Sequence, residues 1–252
     1  MRIVIEAGHG PETPGKRCPD DSMREFHFNS AVAQYAAVLL KGYEDVEVIH
    51  THEMDRDVPL KQRTDRANAL NANLFVSVHA NAYGAGGWNN VRGIETFVYT
   101  TRPAPAVALA NAVQRQLISK TGLEDRGVKS ADFHVLRESK MTAILVECGF
   151  MTNQEDAALL KSGTYRRTCA AAIVAGIAEN YGLRKLPEPE VKPLPAVQAW
   201  AAYRGRDGEP KEAVMINNQC WIPLRDVGEA YGATFEWDNK TKTATIIMPD
   251  KE

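Results

Sequence analysis

The first 183 residues repeat one pattern: short apolar runs alternate with longer stretches whose apolar residues recur three and four apart. Ile3–Ile5, Val46–Ile49, Leu74–Val78, Ile94–Tyr99 and Ala143–Val146 are β-branched or aromatic runs of strand length. Between them, Glu25–Lys41 sets Phe28, Val32, Tyr35 and Leu39 on one helical stripe. Pro105–Lys120 does the same with Leu109, Val113 and Leu117, ahead of Gly122 as a C-cap, and Arg166–Tyr181 with Ile173, Val174 and Ile177. Strands alternating with helices predict an α/β domain, its mostly parallel sheet covered by helices on both faces.

The pattern stops at Leu183. Residues 184–197 hold four prolines, which remove backbone donors and favour extended chain, so a proline-rich linker is expected there. A strap lying on the domain is the alternative. Residues 198–252 read as a small α+β accessory module. Val214–Ile216 and Cys220–Ile222 form a hairpin about Asn217-Asn218-Gln219, Leu224–Tyr231 a short helix, and Thr234–Trp237 with Thr243–Met248 a second hairpin. The chain thus divides into 1–183, 184–197 and 198–252.

Composition narrows the function. A formal net charge of −2, with 25% charged residues, lacks the basic excess that nucleic acid or an anionic membrane surface requires. Neither an apolar leader at the N-terminus nor a membrane-spanning run is present, so synthesis in the cytoplasm without membrane insertion is expected. Cys18, Cys148, Cys169 and Cys220 form no Cys-x-x-Cys pair and read as buried free thiols.

Three candidate site residues occupy one kind of place. His9 follows the first strand through Glu6-Ala7-Gly8, while His79 and Glu147 directly follow the third and last. Ligands of parallel α/β sheets bind beyond the carboxyl ends of the strands, so the three converge on one cleft. Imidazole nitrogens suit zinc, which in catalytic sites keeps three protein ligands and an open position. The third ligand must come from elsewhere, and Glu25, at the start of the first helix, is the best candidate. Ser22-Met23-Arg24-Glu25 also fits a capping box, in which Glu25 would only bond a backbone N–H.

The segments Glu6-Ala-Gly-His-Gly10, Glu25-Phe-His-Phe-Asn29, Ser77-Val-His-Ala-Asn81 and Leu145-Val-Glu-Cys-Gly-Phe150 together resemble the zinc-dependent N-acetylmuramoyl-L-alanine amidases of the Amidase_3 family, across roughly residues 1–183. That resemblance implies the same α/β fold, peptidoglycan as substrate, and hydrolysis of the amide between N-acetylmuramic acid and L-alanine (EC 3.5.1.28). It also implies zinc bound by His9, Glu25 and His79, with Glu147 as catalytic carboxylate. Glu147 would take a proton from water and pass it to the departing alanine nitrogen; as a fourth ligand it would instead close a structural site. The chain departs from the pattern at Glu6-Ala7, where many relatives read Asp-Pro, at Met141-Thr142, where Met-Pro is frequent, and at His52, where Arg is common. The stretch between His79 and Ile94 is too short for the insertion that blocks some regulated relatives, which implies constitutive activity. Ala213–Met248 resembles a copper-amine-oxidase N-domain-like module of wall-associated proteins, implying wall targeting, with a stabilising or dimerising cap as the alternative. Copper is not expected, since all six histidines lie at or before His134.

A cytoplasmic product with a wall substrate implies a phage endolysin released through a holin pore. The rivals are a host autolysin, a zinc peptidoglycan carboxypeptidase and a non-catalytic wall-binding protein. Of the remaining histidines, His50 and His52 are expected at the surface of an edge strand and His27 in packing or solvent, while His134 is a lesser candidate for the cleft wall. Cys148 should point away from Glu147 into the core. Asn81 would contact substrate or hold a loop.

Overall fold

The computed structural model of the chain describes residues 1–187 and, beyond them, the strands at 200–204, 210–216, 219–221, 234–238 and 243–247. It divides into two compact units, Met1–Leu186 and Pro187–Glu252.

In the first unit the order is β1 (Arg2–Ala7), α1 (Glu25–Leu40), β2 (Glu47–Ile49), α2 (Leu60–Ala69), β3 (Leu74–Asn81), β4 (Ile94–Val98), α3 (Ala104–Thr121), β5 (Asp125–Ser130), α4 (His134–Arg137), β6 (Thr142–Phe150), α5 (Gln154–Lys161) and α6 (Gly163–Tyr181). The six strands form one sheet in the order β2-β1-β3-β6-β4-β5. The first four run parallel, while β4 lies antiparallel to β6 and parallel to β5, so the sheet is mixed. All five expected strands and all three expected helices are present. β5, α2, α4 and α5 are additions.

Strand alternation sorts the two faces of the sheet. Ile3, Ile5, Val76, Val78, Ile144, Val146 and Cys148 turn to one face and pack with α1, α3 and α6 in the main core. Val4, Phe75, Ala143 and Leu145 turn to the other, under Ala67 of α2 and Val135 and Leu136 of α4. That second cover is short: α2 has ten residues and α4 a single turn. The upper part of the face, where the parallel strands end, carries Glu6, Ser77, His79, Glu95 and Glu147 instead of apolar side chains. Such residues cannot be buried under a helix without partners, and this is where the cleft forms.

The helices explain themselves locally. α3 ends at Gly122 with φ of 69°, the left-handed C-cap expected, and α6 ends the same way at Gly182. On α1 the buried stripe is Phe28, Val32, Ala36 and Leu40; Leu39, expected inside, is exposed. The three described cysteines, Cys18, Cys148 and Cys169, are buried and free as expected. After α6, Leu186 N–H donates to the Gly42 carbonyl and Glu44 N–H to that of Arg184, tying residues 184–186 to the turn after α1.

In the second unit β7 (Trp200–Arg204), β8 (Pro210–Ile216) and β9 (Gln219–Trp221) form an antiparallel sheet, and β10 (Thr234–Asp238) pairs with β11 (Thr243–Ile247). Both expected hairpins are thus present, and β7 is a further strand. The expected helix Leu224–Tyr231 and most of the expected linker lie outside the described residues.

Candidate functional site

The site assembles around Glu25. Arg24 is the N-cap of α1 and no side chain caps that helix, so the capping-box reading does not hold. The Glu25 carboxylate, 3% exposed, turns inward instead. Oε1 accepts from His79 Nδ1 at 2.9 Å, from the Ala80 N–H at 3.2 Å and from Asn29 Nδ2 at 3.1 Å. Oε2 lies 3.2 Å from His9 Nε2. The two imidazoles stand edge to face, with ring centroids 5.0 Å apart. One ligand atom from each of His9, Glu25 and His79 falls within 4.8 Å of the others. Four-coordinate zinc with ligands at ~2.0–2.1 Å needs donors only ~3.3 Å apart, so the set closes on such an ion by small side-chain shifts.

The backbone is shaped to bring these groups together. A Cβ on Gly8 would stand 2.1 Å from the His79 ring, so only glycine lets the turn after β1 pass. His9 then adopts φ of 61°, a left-handed conformation unusual for a residue with a side chain. Arg63 of α2, 2% exposed, holds that turn. Its guanidinium donates to the carbonyls of Val58 (2.8 Å), Ala7 (2.7 Å) and His9, and to the Glu6 carboxylate. Glu6 in turn accepts from Ser77 Oγ, which lies 3.1 Å from His79 Nε2. Burial alone would push the Glu6 carboxyl up, but Arg63 and His79 outweigh it and hold it below the usual range. This network was missed from sequence. Its one signal was a charged residue, Glu6, inside an otherwise apolar strand.

Glu147 sits opposite His79 in the β3–β6 register. It is buried, and its Oε2 has no hydrogen-bond partner among the described residues. Burial pushes its carboxyl up to about 8; Glu25 and Glu95 push the same way and His79 opposes. Burial disfavours the charged ring of His79, yet the hydrogen bond and charge of Glu25, then Glu147 and Glu6, raise it to about 9. A buried acid lacking a partner beside a histidine–carboxylate cluster has the form of a site awaiting a cation or a substrate proton.

His9, His79, Glu147 and Asn81 line one cleft of about 600 Å³, with Thr13, Lys16 and Asp57 on the loop side and Phe133 and His134 on the α4 side. His134 therefore reaches the cleft wall, its Nε2 3.2 Å from Thr64 Oγ1. Asn81 holds structure as well, donating to Glu95 at 2.8 Å and accepting from the Ala82 N–H at 2.8 Å. His27 is exposed, and Cys148 points into the core, as expected. His50 and His52 do not lie on a strand surface: β2 ends at Ile49. His52 is buried, its Nδ1 accepting from the Ala7 N–H at 3.0 Å, and His50 Nδ1 donates to the Ile5 carbonyl at 2.9 Å. Burial, then His50, lowers His52 to about 4, which keeps it a neutral acceptor propping the end of β1.

Comparison with known proteins gives the family. The N-acetylmuramoyl-L-alanine amidase family model matches residues 3–179, and the copper amine oxidase N-terminal domain model matches residues 206–252. Over 185 residues the chain is 33% identical to the N-acetylmuramoyl-L-alanine amidase CwlM of Bacillus licheniformis, covering 73% of this chain and 70% of the relative. An endolysin of Bacillus phage SPP1 is 33% identical over 197 residues, covering 76% and 72%. The catalytic domain of CwlV, an amidase of Bacillus (Paenibacillus) polymyxa, superposes with a TM-score of 0.67 at 35% identity, over 72% of this chain and 98% of that one. The chain belongs to the N-acetylmuramoyl-L-alanine amidase family and is a peptidoglycan hydrolase of that class.

Proposed function

We propose that the protein is a zinc-dependent amidase in which His9, Glu25 and His79 hold the metal and Glu147 moves the protons, acting as a phage endolysin. The observation that carries the catalytic reading is the juxtaposition of a two-histidine, one-carboxylate cluster with Glu147, a buried carboxyl whose Oε2 has no hydrogen-bond partner among the described residues. Zinc in that cluster supplies Lewis acidity to the scissile carbonyl and to the attacking water. Asn29 and the Ala80 N–H fix the Glu25 carboxylate, and Ser77 faces the far nitrogen of His79, so the donor atoms are oriented before a cation arrives. Glu147 accepts the proton of the attacking water and returns it to the alanine nitrogen as the amide breaks. Its raised affinity for a proton suits the second role, and a neighbouring cation would favour the carboxylate needed for the first.

Digestion of purified walls tests the reading. Wild-type protein should release new L-alanine amino termini without new reducing sugar ends. Glu147→Gln should keep stoichiometric zinc while losing ~10²–10⁴-fold in rate, the usual worth of general acid–base help. Glu25→Ala should lose zinc and activity together. A Glu25→Ala variant that keeps both would remove Glu25 from the metal site.

The endolysin reading is supported by the phage relative. Expression of the full chain inside a Gram-positive host should leave cells intact until a holin is co-expressed, then lyse them. Lysis without the pore would favour a host autolysin, which the CwlM likeness supports equally.

For the second unit, the module match and the proline-rich segment before it support wall attachment. The full chain should sediment with purified walls in moderate salt, and a chain ending at Leu186 should lyse cells more slowly yet cut soluble muropeptides at a similar rate. Equal sedimentation and equal lysis by the two would reassign the unit as a stabilising or dimerising cap.

A further inference from the structure

The cleft accounts for the scissile bond, but a peptidoglycan amidase also meets the glycan strand that carries the stem peptide. Beyond Asn81 the connection between β3 and β4, residues 82–93, presents Tyr83 and Trp88 to solvent at 57% and 38% exposure. Scattered exposed aromatics are ordinary; this tryptophan, however, sits on a pinned turn. The Asn89 side chain donates to the carbonyls of Tyr83 (2.9 Å) and Gly87 (3.3 Å) and accepts from the Val91 N–H (3.0 Å). The Asn89 N–H donates to the Thr152 carbonyl at 2.8 Å, and its own carbonyl accepts from Asn153 Nδ2 at 3.1 Å. The turn that carries the indole is thus held in place, with the indole itself partly exposed.

Trp88 forms one wall of a second groove, of about 410 Å³, whose other walls include Asn90, Asn153 and Gln154. Asn90 and Gln154 are exposed, and each amide offers both donors and an acceptor. Arg92 and Glu155, also in the wall, are ion-paired, so the charges of the groove balance. An aromatic face beside neutral amides is the chemistry that recognises an N-acetylated pyranose. The ring's C–H face stacks on indole, while its acetamido group and hydroxyls pair with side-chain amides.

The groove lies at the same end of the sheet as the cleft. Asn81, in the cleft wall, pairs with Phe150, and the chain reaches Thr152 and Asn153 just beyond. Three strand residues from Glu147 to Phe150 span ~10 Å, so the groove opens a few sugar rings at most from the scissile bond. We infer that the groove beside Trp88 is a glycan-strand subsite, holding an N-acetylhexosamine ring of the same strand within a few rings of the muramic acid whose stem is cut. The inference rests on the amidase reading for its substrate.

The test uses the full chain and peptide-free glycan strands prepared from cell walls, with a cello-oligosaccharide as the same polymer type lacking N-acetyl groups. Calorimetric titration should show the strands bound in preference to the cello-oligosaccharide. Trp88→Ala should weaken that binding about tenfold, the scale of one lost aromatic contact, and Trp88→Tyr should restore most of it. In hydrolysis, Trp88→Ala should lower the ratio of kcat/KM on long peptide-bearing strands to that on a single muramoyl peptide by a similar factor. Unchanged strand affinity in Trp88→Ala, or equal affinity of the wild type for both polymers, would overturn the subsite. Strand binding lost with Trp88, in a chain that cuts neither substrate, would support the subsite and sink the amidase reading instead.

Discussion

The structure depends on one buried charge. Glu25 places a carboxylate in the interior at the start of α1, and an uncompensated charge there would cost several kcal/mol. Its compensation comes from three directions: His79 and the Ala80 N–H of β3, His9 from the turn after β1, and Asn29 one helical turn along α1. The carboxylate therefore joins the first helix to two neighbouring strands at their carboxyl ends. Removing it would take from both imidazoles the carboxylate they share and leave Asn29 bonded only to the Gly8 carbonyl. The same atoms that satisfy the fold are those a cation would use.

Around this centre a second buried pair does the fixing. Arg63 reaches from α2 to Glu6 and to the carbonyls of Ala7 and His9, holding the left-handed turn on which His9 stands. Glu6 passes the connection through Ser77 to His79. Both histidines are thus oriented by one charged network on the sheet face that the short helices α2 and α4 leave open. Partners of this kind are commonly worth 10–100-fold in metal affinity, so a pair that contributes little net stability can still set the chemistry.

Much of this was legible in the sequence, and the gaps have physical causes. The five apolar strands and the three long helices follow from hydrophobic periodicity, because each is buried on at least one face. β5, Asp125-Arg-Gly-Val-Lys-Ser130, escaped because it is a polar edge strand interrupted by Gly127 at φ of 76°. α2 escaped because its helix is mostly polar, with Arg63 and Thr64 among its few buried residues. The reversed direction of β4 leaves no trace in its composition. At the site, the places of His9, His79 and Glu147 at strand ends were enough to expect them in one cleft, which they line. Glu25 was ambiguous because Ser22-x-x-Glu25 imitates a capping box, and only tertiary contact separates the two uses. His50 and His52 were placed at the surface because alternation reads them as strand residues, whereas the chain has already left β2 and turned them onto the backbone of β1.

Zinc titration of the metal-free protein, with proton release counted in buffers of different ionisation enthalpy, tests the central claim most directly. In the cluster His79 keeps its proton up to about pH 9 through Glu25, and a metal ligand must give that proton up. At pH 8 the account predicts one zinc bound per chain with release of at least one proton, from His79 and in part from Glu147. Zinc bound without proton release, or full wall hydrolysis by a chain shown to be metal-free, would contradict it.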